Sequence, residues 1–355
     1  MARAAWLVAL LAVCACGDEA ATSASEAALA ALPPAPAPPR NPSTPEKVEL
    51  GRHLFYDVRL SAENNVSCAS CHAQAHAFSD PVSTSIGTTG VHTARNAMSL
   101  VNSAYAATLT WFNPVLDSLE AQALVPLVGE SPIELGMSNR DDLLRARLLS
   151  VPRYRALFAA AFPGQAEPYT MQNVAAALST FQRALVSLRA PYDRFLAGDE
   201  DALEPMARAG LALFSSSRLG CARCHGGVFL SSAMAAPAEG RPTARFENNG
   251  LHAAHPPAHE GLFEFTRDPA DLGKFKPPSL RNVAVTAPYM HDGSLASLGD
   301  VLDHYARGGF ASPSKSAHVT GFALSAQERN ALLAFFESLT DQALLTDPRF
   351  ADPWR

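Results

Sequence analysis

Cys68-Ala-Ser-Cys71-His72 and Cys221-Ala-Arg-Cys224-His225 decide how this chain folds. Each is a Cys-x-x-Cys-His string, the attachment signal of a c-type haem. Composition alone would give about 0.003 such strings in a chain of this length, and this one has two. The chemistry needs the spacing: two thiols form thioethers to the haem vinyl groups, and the adjacent histidine gives iron its proximal nitrogen. A redox dithiol does not need the histidine, and a zinc site would need both cysteine pairs to converge.

The same phrase precedes both signals. Gly51-x-x-Leu54-Phe55-x-x-x-Arg59-Leu60 stands before the first, and Gly210-x-x-Leu213-Phe214-x-x-x-Arg218-Leu219 before the second. Leu54 and Phe55 follow Gly51 at helical spacing, and Ser43-Thr44-Pro45-Glu46 reads as a cap with proline at the first helical position. Further helices are expected where Ser138-Asn-Arg-Asp141-Asp142 opens one, over Thr170 to Leu188, and after the capping box Ser325-Ala-Gln-Glu328. The expected fold is mainly α: two cytochrome c-like helical domains, 46–195 and 196–342, each with one covalent haem, then a tail at 343–355. The Pro/Gly-rich stretch from Pro237 to Pro278 reads as a long loop around the second haem.

The rest of the chain bounds the function. Its 355 residues carry a net charge of −6 and are 48% hydrophobic. That excludes wholesale disorder, and without a Lys/Arg block it excludes the electrostatic footprint of a nucleic-acid binder. Residues 1–16 read as a signal peptide. Val13-Cys14-Ala15-Cys16 resembles a lipobox, with Cys16 as the lipidated residue and ordinary cleavage as the alternative. Residues 17–45, centred on Pro33-Pro34-Ala-Pro36-Ala-Pro38-Pro39, read as a tether. The signal peptide and lipobox make the periplasm, on a lipid anchor, the expected location, and no later run of 18 apolar residues spans a membrane.

Longer stretches carry a resemblance: Gly51 to Ser61, Ser67 to His72, Arg95 to Asn102, Leu119 to Gln122, Pro132 to Leu135, and Pro278 to Gly293. Over residues 45 to 342 the sequence resembles the bacterial dihaem cytochrome c peroxidase and MauG superfamily. Arg95 to Leu100, Pro126 to Gly136 and Gly261 to Thr266 further resemble its MbnH-like branch, whose members oxidise tryptophan in a partner protein. The resemblance implies a peroxide-reactive N-terminal haem on His72 and a relay haem on His225. It places Glu134 as the distal carboxylate, Gln122 as a distal amide, and Trp111 between the haems. A base above an open iron can take a proton from one peroxide oxygen and return it to the other. The bland alternatives are a surface acid, a helix-surface glutamine and a core tryptophan.

Two positions depart from classical cytochrome c peroxidases. Where those enzymes carry a removable distal histidine, counting along the chain places Thr88, a poor iron ligand; His76 and His92 are near enough in sequence to replace it. At the relay haem the position of the peroxidase methionine is Tyr305, as in MauG, with Met290, His304 and His318 as alternative ligands. The resemblance also implies one calcium ion held by Asn96 and by the carbonyls of Thr286 and Pro288.

The expected function is a dihaem peroxidase. It would use hydrogen peroxide to reach high-valent haem iron and oxidise a protein partner, with a tryptophan on a periplasmic protein as the expected target. One alternative is detoxification of peroxide with electrons from a small cytochrome or cupredoxin. A different class is a non-enzymatic dihaem electron carrier with both irons six-coordinate.

Overall fold

Thr44 starts the first described helix: its hydroxyl accepts from the Lys47 N–H, and Pro45 fills the first turn of α1 (Pro45–Phe55). A computed structural model describes residues 35–236 and 242–355. Among these the chain is helical, with isolated bridges and no strand. After α1 come α2 (Cys68–Cys71), α3 (Leu119–Val128), α4 (Asp141–Leu149), α5 (Pro152–Ala161) and α6 (Met171–Ala184). Then follow α7 (Pro191–Leu196), α8 (Pro205–Ser215), α9 (Phe263–Thr266), α10 (Leu298–Arg307), α11 (Ala326–Glu337) and α12 (Gln342–Thr346).

Two helix crossings explain the repeated Gly-x-x-Leu-Phe phrase. In the first half α1 crosses α6 so closely that a Cβ on Gly51 would lie 2.1 Å from the Ala177 carbonyl oxygen and 2.8 Å from Phe181 Cβ. In the second half α8 crosses α11, and a Cβ on Gly210 would lie 1.9 Å from the Ala331 oxygen and 2.7 Å from Phe335 Cβ. Leu54, Phe55 and Phe181 are buried in one core; Phe214, Phe335 and Phe336 are buried in the other. A smaller cluster joins the halves, where Tyr105 stacks on Phe229 with ring centroids 4.8 Å apart.

The duplication extends to the loops. Asn102 and Asn282 both adopt the left-handed conformation. Each donates its backbone N–H to a leucine carbonyl just beyond a domain's last long helix, Leu185 and Leu339. Each side-chain oxygen then accepts from the N–H two residues further on, at Ser187 and Asp341. This clamp is why α6 stops at Ala184 rather than running to Leu188: tertiary hydrogen bonds claim the backbone that a helix would use.

Ser325 and Glu328 form the expected capping box. Ser138 does not cap α4; its hydroxyl donates to Glu130, and Arg140 holds the cap position. Within 237–278, α9 and short 3-10 turns punctuate the loop. The signal peptide and most of the tether, residues 1–34, lie outside the described residues. The tether's remainder lies on the body, where buried Asn41 donates to Glu120 and to the Ala176 carbonyl. The segment read as a tail also packs. Leu344 and Phe350 enter the first core, and the Trp354 indole donates to the His53 carbonyl at 3.0 Å.

Candidate functional site

The first Cys-x-x-Cys-His string opens onto a cavity lined by Cys68, Cys71, His72, Gln122 and Glu134 among apolar neighbours that include Phe55, Leu100 and Leu178. His72 Nδ1 meets the Phe78 carbonyl at 2.9 Å, which fixes the ring and leaves Nε2 for iron. Burial lowers the His72 pKa and so favours the neutral, ligating imidazole. Two thiols, a fixed imidazole and an apolar cavity fit a covalent haem.

Glu134 reaches this cavity from a pinned loop. The Thr88 N–H donates to the Glu134 carbonyl at 2.7 Å, and the Leu135 N–H donates to the Pro126 carbonyl. Gly87 permits the crossing, since a Cβ there would lie 2.1 Å from the Ile133 carbonyl oxygen. Burial raises the Glu134 pKa above the usual carboxylate range. Gln122 projects from α3 into the same space. None of the sequence candidates for a distal ligand lines it. The Thr88 hydroxyl donates to Asn65, His92 meets the Thr84 hydroxyl, and His76 meets the Val285 carbonyl.

The second string repeats this support. His225 Nδ1 lies 3.1 Å from the Pro278 carbonyl and 3.3 Å from that of Leu230. Phe78 and Leu230, the residues whose carbonyls face the two histidines, both have positive φ. A serine hydroxyl holds the preceding carbonyl in each case: Ser99 on Ala77 and Ser279 on Phe229, both at 2.6 Å. Asn249 brings two candidate ligands together, its amide donating to Met290 Sδ at 3.5 Å and to the Tyr305 hydroxyl at 3.3 Å. The Tyr305 phenol also feels Cys221 and Cys224, and burial pushes its pKa up to about 12. His304 Nε2 instead meets the Asn249 carbonyl, and exposed His318 faces Arg223.

Comparison with known proteins agrees with this geometry. The family described as "Di-haem cytochrome c peroxidase" matches residues 45–201. The methylamine utilization protein MauG of Methylorubrum extorquens is 40% identical, covering 86% of this chain and 81% of its own. The chain belongs to the di-haem cytochrome c peroxidase and MauG family. The cytochrome c551 peroxidase of Pseudomonas aeruginosa is 33% identical over 72% of this chain and 70% of its own. A crystal structure titled as a MauG-like protein associated with microbial copper homeostasis matches with a TM-score of 0.87 and 44% identity, covering 91% of this chain and 97% of that one. The protein is therefore a dihaem peroxidase, an oxidoreductase with two haem c groups and hydrogen peroxide as co-substrate. That sets aside the electron-carrier reading.

In this dihaem peroxidase Trp111 joins the two halves. Its indole donates to the Asn96 carbonyl at 2.8 Å, and its own carbonyl accepts from the Lys276 N–H at 2.8 Å. Buried Lys276 donates its ammonium to the Thr108 carbonyl, and burial lowers its pKa to about 8. Arg95 pairs with Glu264 and lies over the Phe112 ring. Of the residues expected at calcium, Asn96 is buried and gives its amide nitrogen to the Val82 and Ser83 carbonyls, while the Thr286 hydroxyl donates to Val283. The four haem-string cysteines are unpaired, and burial pushes Cys68 up to about 12 and Cys221 and Cys224 up to about 11. Such thiols lack the thiolate character of a redox dithiol.

Sequence reasoning missed Asn249, Lys276 and the histidine-orienting serines. Ser99 and Ser279 lie inside stretches that carried the resemblance, and an alignment of the two halves on the shared Ser-Leu-x-Asn pattern would have found them.

Proposed function

We propose that the N-terminal haem is the peroxide-reactive one, that the C-terminal haem is an electron relay, and that the enzyme oxidises a protein partner at its surface. The observation that carries this reading is Glu134, which opens into the same cavity as Cys68, Cys71 and His72, with a carboxyl whose pKa burial raises. When bound, the haems supply the two-electron reduction of peroxide to water. His72, fixed by Phe78, would hold one iron, and His225, fixed by Leu230 and Pro278, would hold the other. Glu134 takes a proton from hydrogen peroxide and returns it to the oxygen that leaves as water, while Gln122 orients the peroxide by hydrogen bonding. Trp111, anchored to Asn96 and Lys276 in the two halves, divides one long electron path into two shorter ones.

Tyr305 would hold the relay iron together with His225, in keeping with a MauG-like enzyme that takes electrons from a tryptophan of a partner protein. An oxygen donor favours the oxidised metal. Met290 supports a second reading, because it shares Asn249 with Tyr305. Thioether ligation would suit a cytochrome c peroxidase fed by a small cytochrome or cupredoxin. Calcium belongs with Asn96, Thr286 and Pro288: the Asn96 amide spends its nitrogen on two carbonyls and keeps its oxygen for a hard cation. The proposed location is the periplasm, with Cys16 as a lipid anchor. No described helix is long and apolar enough to cross a membrane.

Electron paramagnetic resonance of the oxidised protein, before and after stoichiometric peroxide, tests the reading. One high-spin and one low-spin ferric signal, both lost with peroxide, is the expected result. Two low-spin signals indifferent to peroxide would refute an open first haem.

A further inference from the structure

The loop from Asn249 to His259 and the turn after Tyr289 bring together a group of side chains that the peroxidase reaction does not use. His252 Nε2 lies 2.8 Å from Asp292 Oδ2, and His259 Nδ1 lies 2.9 Å from His291 Nε2. One potential ligand atom from each of the four lies within 4.8 Å of the other three. We propose that His252, His259, His291 and Asp292 form a binding site for one divalent transition-metal ion of the imidazole-preferring kind, Cu²⁺ or Zn²⁺.

Donor geometry supports a cage rather than a stack of rings. Tetrahedral ligands at about 2.0–2.1 Å from a metal stand about 3.3 Å apart, so donors now 2.8 to 4.8 Å apart need only small side-chain adjustments. The His291 ring meets those of His252 and His259 nearly edge-on, at 81° and 72°, so their nitrogens can converge. An ion would replace the protons that now link the pairs. The chemistry of the set is selective, since three imidazoles and one carboxylate suit copper or zinc and are poor partners for calcium. A nearby imidazole is also unsatisfied: His255 packs beside Gly273 with both ring nitrogens buried and without a partner among the described residues.

The supporting residues are in place. His291 stacks on Phe275 with centroids 3.7 Å apart and planes 13° apart, and its carbonyl accepts from the Asn96 N–H. His252, its side chain 28% exposed, leaves a route for the ion. The same supports lead to Trp111, because Asn96 accepts from its indole and Lys276, next to Phe275, donates to its carbonyl. An ion here would sit against the peptide segments that hold the inter-domain tryptophan. This inference does not depend on which haem meets peroxide.

The test is calorimetric titration of the haem-loaded protein with Zn²⁺ and with Cu²⁺, both in excess Ca²⁺, followed by paramagnetic resonance of the Cu²⁺ form. The expected result is one equivalent bound and a copper signal split by imidazole nitrogens. The double variant His252→Ala/His259→Ala should bind at least about 100-fold more weakly, with an unchanged haem absorption spectrum as evidence of folding. Absence of saturable binding, competition by Ca²⁺, or a double variant that binds like the parent would each overturn the proposal.

Discussion

Glu134 and Lys276 are partly withdrawn from water in opposite chemical senses, and each makes a pH prediction. Burial raises the Glu134 pKa, so the base form that accepts the peroxide proton is lost as pH falls through a value above the ordinary 4.5. The acid limb of kcat/KM against pH should therefore lie above 4.5, and Glu134→Gln should remove the limb and lower kcat/KM by about 10²–10⁴. A variant that kept both rate and limb would take the proton transfer away from Glu134. Lys276 has a folded pKa of about 8 against 10.5 in the unfolded chain. Below pH 8 both states are protonated and the full cost of burying the charge is present. Between about 8 and 10.5 the folded state releases its proton first, so this group's contribution to stability rises with pH, by roughly 3 kcal/mol in all. The stability gap between Lys276→Met and the parent, measured by urea unfolding, should narrow across that window. Motif chemistry made Glu134 legible in the sequence. Lys276 was not, because its meaning lies in burial beside Thr108 and Trp111, and no local pattern reports burial.

At the scale of elements, the two close helix crossings are the duplicated structure. Gly51 and Gly210 stand where any side chain would overlap a carbonyl oxygen of the partner helix. Gly51→Ala and Gly210→Ala should each destabilise the fold by about 1–3 kcal/mol or more, as overpacked cores do, and thermal unfolding would register it. The repeated phrase revealed one side of these crossings. The other side, Ala177 with Phe181 and Ala331 with Phe335, has the same four-residue spacing but carries too little sequence to stand out before the helices are placed. The last element was read from its position as a tail, yet its apolar residues complete the first core. Phe350 is buried and its ring lies 6.2 Å from that of Phe181. Phe350→Ala should cost about 3–5 kcal/mol, whereas a loose tail would lose almost nothing.

At the scale of the molecule, haem attachment, helical class and duplication could be read from two short strings and one repeated phrase. How the halves meet could not, because their junction uses loop carbonyls, and backbone groups have no signature in sequence. Trp111 is the test of that junction. Its indole bonds to the first half through Asn96, its carbonyl to the second through Lys276, and Tyr105 on Phe229 packs the halves together independently of it. Trp111→Phe should therefore preserve the docked arrangement, losing only the Asn96 hydrogen bond at about 0.5–1.5 kcal/mol. Electron traffic should respond differently. If the two haems share oxidising equivalents through this ring, peroxide will still abolish the high-spin signal in the variant, while loss of the low-spin signal slows sharply or stops. Rapid-freeze paramagnetic resonance separates the two events. Simultaneous loss of both signals at the parental rate would show that the electrons take another route and that Trp111 serves only to pack the junction.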